Sequence, residues 1–81
     1  MPRVRYFAQA REAAGTGAED VPGATVGEVL AAAVALHGPR FQAVLATAAV
    51  WLDGEPCQLD DPVAVAAEVA VLPPVSGGFA A

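Results

Sequence analysis

At 81 residues the chain has room for one compact core and none for a second domain. Apolar residues make up 56% of it and charged residues 16%, a composition that folds rather than stays disordered. The net charge is −5 and the only basic residues are four arginines, which argues against a nucleic-acid partner and favours a basic protein partner.

The longest apolar stretches, Ala43 to Ala46 and Ala48 to Leu52, fall far short of the ~20 residues that span a bilayer. Met1-Pro2-Arg3-Val4-Arg5 leads straight into a strand pattern and not into a signal sequence, so a cytoplasmic protein without a membrane span is expected. A lone Cys57 and a lone His37 offer neither an internal disulfide nor a thiolate cage, and no metal site is expected.

Arg3 to Ala8 alternates with period two, which sets Val4, Tyr6 and Ala8 on one face and Arg3, Arg5 and Phe7 on the other. Gln9 to Ala14 is a short run of helix formers stopped by Gly15-Thr16-Gly17, and Ala18 to Val21 reads as a brief second strand before Pro22-Gly23. From Thr25 the period changes. Val26, Val29, Leu30, Ala33, Val34 and His37 fall on one face of a helix, with Thr25 and Glu28 as a capping box and Gly38-Pro39 as the stop.

Pro39 opens a short helical turn that aligns Phe41, Val44 and Leu45. Ala48 to Leu52 is a strand, Asp53-Gly54 a tight turn, and Glu55 to Leu59 folds back. Asp60-Asp61-Pro62 marks another turn, and Glu68 to Leu72 is the last strand, ended by Pro73-Pro74. One main helix among four or five strands suits an α+β fold, a mixed sheet with the helix packed on one face. A β-grasp (ubiquitin-like) arrangement satisfies that order.

After Pro73-Pro74 come Val75-Ser76-Gly77-Gly78. A glycine pair near a terminus is often plain frayed chain; it is also the only kind of backbone thin enough to thread into a narrow active site. The closing run Glu68-Val69-Ala70-Val71-Leu72-Pro73-Pro74-Val75-Ser76-Gly77-Gly78 closely resembles the ending of the small subunits of molybdopterin synthase (MoaD) and the related ThiS carriers. The opening Val4-Arg5-Tyr6-Phe7-Ala8-Gln9-Ala10-Arg11-Glu12-Ala13-Ala14-Gly15 is similar to theirs as well, and the likeness runs from residue 3 to 78.

That resemblance implies a sulfur carrier, residues 1–78, followed by a C-terminal extension, 79–81. In such carriers an adenylating enzyme of the ubiquitin-activating type uses ATP to activate the terminal glycine carboxylate, which becomes a thiocarboxylate. The carrier itself binds no cofactor and has little or no activity alone. In the molybdenum-cofactor branch the tail enters the large subunit of molybdopterin synthase and donates sulfur to a pterin precursor. By resemblance Gly78 carries the reacting group and Gly77 provides clearance; Phe7, Arg11 and the segment Leu72, Pro73, Pro74, Val75 and Ser76 are the candidate partner-binding residues.

Two departures stand out. Phe79-Ala80-Ala81 follows Gly78, so the chain as written has no free carboxylate there. The leading expectation is that a processing peptidase exposes it, and the alternatives are a paralogue that keeps the fold and binds its partner without carrying sulfur, or three residues that are not native to the chain. Ala66-Ala67 stands where relatives commonly have Gly-Asp, so the turn before the last strand is expected to be helical or wide.

The remaining polar and aromatic residues have plainer readings. Phe7 is either a scattered surface residue or part of a patch with Leu72, Pro73 and Val75; Arg11 is either solvated or paired to an acidic group of a partner. Trp51 and Tyr6 are expected in the core. Cys57 has no basic neighbour in sequence to activate it, His37 suits a helix C-terminus, and Asp60 and Asp61 form a turn. Three functions compete: the molybdopterin synthase carrier, a carrier for thiamine, cysteine or another thioacid, and a non-catalytic ubiquitin-like binding module or protein modifier.

Overall fold

The computed structural model describes residues 1–74. Within them the order is β1 (Arg3–Tyr6), α1 (Ala8–Ala14), β2 (Ala18–Asp20), α2 (Val26–His37), α3 (Pro39–Leu45), β3 (Ala49–Leu52), β4 (Glu55–Pro56) and β5 (Glu68–Leu72). The strands form one five-stranded sheet in the order β2-β1-β5-β3-β4. β1 and β5 pair in parallel at its centre, with Val4 beside Val69 and Tyr6 beside Val71, and the other pairings are antiparallel. This mixed sheet with its helices is a β-grasp, ubiquitin-like fold.

The alternation in β1 and β5 buries Val4, Tyr6, Val69 and Val71 on one side of the sheet. Onto that side α2 lays Val26, Val29, Leu30 and Ala33, and α3 adds Phe41. The Thr25 hydroxyl accepts the Glu28 N–H at 3.2 Å and the Glu28 carboxylate accepts the Ala24 N–H at 2.8 Å, so the capping box closes one residue earlier than its simplest form. Gly23, at φ 157°, passes so close to α2 that a Cβ there would stand 2.6 Å from the Val29 nitrogen.

Asp53 and Gly54 both take positive φ, 52° and 85°, which is the geometry a two-residue hairpin between β3 and β4 requires. The turn at Ala64 to Ala67 closes through the Ala67 N–H on the Ala64 carbonyl at 3.1 Å, and neither Ala66 nor Ala67 has positive φ.

Two expectations are corrected. Trp51 is not in the core: it is 39% exposed, because β3 turns Val50 and Leu52 inward and sends Trp51 to the open face of the sheet, beside Ala70. The first strand ends at Tyr6, so Ala8 is an exposed first residue of α1 and not a core residue. Phe7 still donates its N–H to the Val71 carbonyl at 3.2 Å, but a positive φ of 49° at Ala8 then swings the chain out of the sheet.

Leu30 is 5% exposed at the centre of the α2 stripe. Leu30→Ala is expected to cost about 2–5 kcal/mol, read as a lower denaturant midpoint with an unchanged slope.

Candidate functional site

The C-terminal segment leaves the sheet at the end of its central strand. Leu72 is half-buried on the open face, Pro73 is buried, and Pro74 is exposed. The prolines end the ladder because they have no N–H to give it. At the same end β1 hands over to α1, whose first turn rests on the Phe7 carbonyl: it accepts the Ala10 N–H at 3.0 Å and the Arg11 N–H at 3.4 Å.

The parallel register places Phe7 one step past the Tyr6–Val71 pair, next to Leu72, and Phe7 is 42% exposed. Phe7 and Leu72 are therefore brought together on the open face, and Trp51 joins that face as an apolar residue expected inside; the expected partner-binding residue Pro73 is instead buried, and Pro74 borders a cleft on the helix side. Arg11 lies one helical turn on from Phe7, with its Nε 3.5 Å from where a Cβ at Gly17 would stand. Val75, Ser76, Gly77 and Gly78 lie outside the described residues.

Beside Pro74, α1 and α3 frame a surface cleft of about 500 Å³ lined by Gln9, Arg40, Ala43, Val44, Thr47 and Pro74. Across the open face Arg3 pairs with Asp20 at 3.2 Å and Arg5 with Glu68 at 2.5 Å. These pairs are half-exposed and contribute little to stability, but they occupy both arginines.

On the helix side a polar cluster appears that the sequence reading missed. Glu19 lies opposite Val4 in the β1–β2 ladder, so it faces inward while Asp20 faces out. Its Oε2 accepts the Tyr6 hydroxyl at 2.7 Å and lies 2.5 Å from His37 Nε2, which donates to it. Tyr6, His37 and Phe41 stack around it, Tyr6 edge-on to both rings. The signal available in the sequence was the alternation of Ala18-Glu19-Asp20, which sets one carboxylate on the core face where it needs a partner.

Partial burial by itself raises the Glu19 carboxyl; the hydrogen bonds from Tyr6 and then His37, with the His37 charge, more than offset this and hold it below the usual carboxylate range. Burial pushes the Tyr6 hydroxyl upward, reinforced by the hydrogen bond to Glu19 and its charge. Burial also raises the Cys57 thiol, with Asp61 adding to the shift, so at neutral pH the sulfur is a thiol and a weak nucleophile. Among the described residues no group of three His, Cys, Asp or Glu is placed to hold a metal ion, and no helix is long and apolar enough to cross a membrane.

The fold and the end of its central strand at Leu72 define a small ubiquitin-like protein with a β-grasp sheet. The chain belongs to the ThiS family, whose model matches residues 4–78. SAMP1 from Haloferax volcanii superimposes with a TM-score of 0.82 at 34% identity, over 95% of this chain and 98% of that one. Small archaeal modifier protein 1 from Methanosarcina acetivorans gives 0.85 at 26% identity, over 95% of each chain. A Pyrococcus furiosus protein provisionally assigned as molybdopterin converting factor, subunit 1, gives 0.79 at 26% identity, over 91% of this chain and 97% of that one. A search of curated protein sequences found no match.

A carboxyl held low in the folded state stabilises the fold above its unfolded value, and that contribution is lost as pH falls through the folded value. Glu19→Gln is therefore expected to lower stability by about 1–3 kcal/mol near neutral pH and to have little effect in acid below the carboxylate range. Denaturant unfolding of both proteins across that range would show two curves converging as pH falls.

Proposed function

We propose that this chain is a sulfur carrier or modifier of the ubiquitin type whose reactive group is the carboxylate of Gly78, exposed once residues 79–81 are removed. The observation that carries this reading is that the ThiS family match ends at Gly78, the second glycine, on a chain whose central strand ends at Leu72, just before Pro73-Pro74.

A carboxylate resists nucleophilic attack because its own negative charge repels the nucleophile. Adenylation by a ubiquitin-activating-type partner transfers AMP from ATP to the Gly78 carboxylate and releases pyrophosphate; AMP is then the leaving group. A sulfur donor displaces AMP and leaves a thiocarboxylate, a good sulfur nucleophile. Gly77, lacking a side chain, lets the end of the chain enter a narrow site. Phe7, Leu72 and Pro74 to Ser76, with Arg11, serve as the surface on which the partner seats, Pro73 being buried beneath it, and the chain itself holds no cofactor.

The acceptor is the finer question. The large subunit of molybdopterin synthase, with a pterin precursor as acceptor, is one candidate, supported by the likeness to the Pyrococcus converting factor. The likeness to two archaeal modifier proteins, one of them at 34% identity, supports a broader reading. In it the activated Gly78 serves another sulfur-accepting pathway or is joined to a lysine of a target protein. All these outcomes share the activation step.

A chain ending at Gly78, incubated with an adenylating enzyme, ATP and a sulfur donor, is expected to gain the mass of one oxygen-to-sulfur exchange, and the 81-residue chain is expected not to. Equal behaviour of the two would overturn the role of Gly78. Intact-mass measurement after incubation in cell extract reports whether residues 79–81 are removed. Phe7→Ala, which alters an exposed side chain, is expected to weaken the complex with the adenylating enzyme in a binding titration while leaving the circular dichroism and unfolding midpoint of the free chain unchanged.

A further inference from the structure

The nine carboxylates and four arginines of the chain are unevenly placed. Because β1 and β5 are parallel, Arg3 and Glu68 share one end of the sheet, and Phe7, Leu72 and Pro74 share the other. Asp20 stands opposite Arg3, Glu55 opposite Leu52, and the Asp53 carboxylate accepts the Glu68 N–H at 2.9 Å, all at the first end. The start of α2, with Glu28, and the Asp60-Asp61 turn are tied to that end too. Val21 donates to the Pro2 carbonyl at 2.9 Å, and Val26 donates to the Asp61 carbonyl at 3.0 Å.

Seven of the nine carboxylates therefore gather away from the point where the C-terminal segment leaves. An eighth, Glu19, is engaged by Tyr6 and His37. At the exit end stand two arginines, Arg11 and Arg40, against one carboxylate, Glu12. The four residue steps from Glu68 to Leu72 separate the two ends by about 13 Å, more than the ~8 Å over which charges are screened at physiological ionic strength. A partner at the exit end meets a locally cationic surface on a protein that is acidic as a whole.

Arg40 is also the more loosely held of the arginines that have an ion pair. Its guanidinium reaches Glu12 only at 4.0 Å, with the two side chains 72% and 71% exposed, whereas Arg3 and Arg5 have closer partners. It borders the cleft beside Pro74, where Ala43 and Val44 offer an apolar floor and Gln9 and Thr47 a polar rim.

We propose that this cleft is the docking surface for an acidic protein segment, which lays an apolar side chain on Ala43 and Val44 and a carboxylate against Arg40. The net charge of −5 alone would select a basic partner, but a basic surface would be drawn to the seven carboxylates and leave the end of the sheet at Leu72 and Pro74 on the far side. An acidic rim is repelled by that pole and accepted only at the exit end, so the chain approaches with the Pro74 end leading. The inference rests on the reading of the tail as the working end, but its test does not require the tail to react.

The probe is a synthetic peptide with Glu residues flanking a Leu, titrated into the isotope-labelled 81-residue chain and followed by amide chemical shifts. Shifts confined to Gln9, Arg40, Ala43, Val44 and Thr47 are expected. The affinity should fall with added salt and drop roughly three- to tenfold in Arg40→Glu, whose own spectrum reports that it is folded. Shifts at the acidic end, no shifts, or an affinity indifferent to Arg40→Glu would overturn the proposal. If the cleft binds the peptide while the Gly78-ended chain is never adenylated, the proposed function fails and the docking surface stands.

Discussion

The parallel pairing of β1 with β5 is the constraint on which the rest of the molecule depends. It joins the two ends of the described chain at the centre of the sheet, and its register sets Val4, Tyr6, Val69 and Val71 on the face that the helices cover. Parallel strands cannot be joined by a hairpin, so everything between them has to be accommodated as helices and edge strands. A slip of one residue would turn all four side chains to solvent. The same pairing delivers Pro73 and Pro74 to the place where α1 begins, which is why Phe7 and Leu72 share one exposed corner.

Around that centre the chain satisfies its polar groups economically. Among the described residues no buried side-chain nitrogen or oxygen lacks a partner. The inward carboxylate of Glu19 is held by Tyr6 and His37, which couples the edge strand β2 to the end of α2 and, through ring packing, to Phe41 of α3. One carboxylate thus joins β1, β2 and the end of α2. The cost of a charge on the core face is met by hydrogen bonds that themselves require the tertiary fold.

Most of the fold was legible because its local signals agreed. The stripe of α2, its Thr25 cap, the Asp53-Gly54 hairpin and the limits of β5 all follow from short-range chemistry and appear where the pattern put them. Trp51 was misjudged because hydrophobicity alone does not choose a face; the register of β3 against β5 does, and it points Val50 and Leu52 inward. The extent of β1 was misjudged because alternation continues through Ala8, whereas the backbone leaves the sheet there with a positive φ that no residue type announced. Of the candidate site, the nearness of Phe7 to Leu72 was legible once the two end strands were paired, whereas the burial of Pro73 and the cleft at Arg40 need the helices in place.

By itself the sequence determined the class of fold, the length and limits of the main helix, the exit through Pro73-Pro74 and the family to which residues 4–78 belong, because each is written in local pattern or in a contiguous motif. Only the tertiary structure decided how charge is distributed and which groups meet. Net charge is a sum and says nothing of position; it took the parallel β1–β5 register to gather seven carboxylates at one end and leave Arg11 and Arg40 beside the other. Glu19 with His37, and Arg40 with Pro74, are likewise far apart along the chain, and folding alone makes them neighbours.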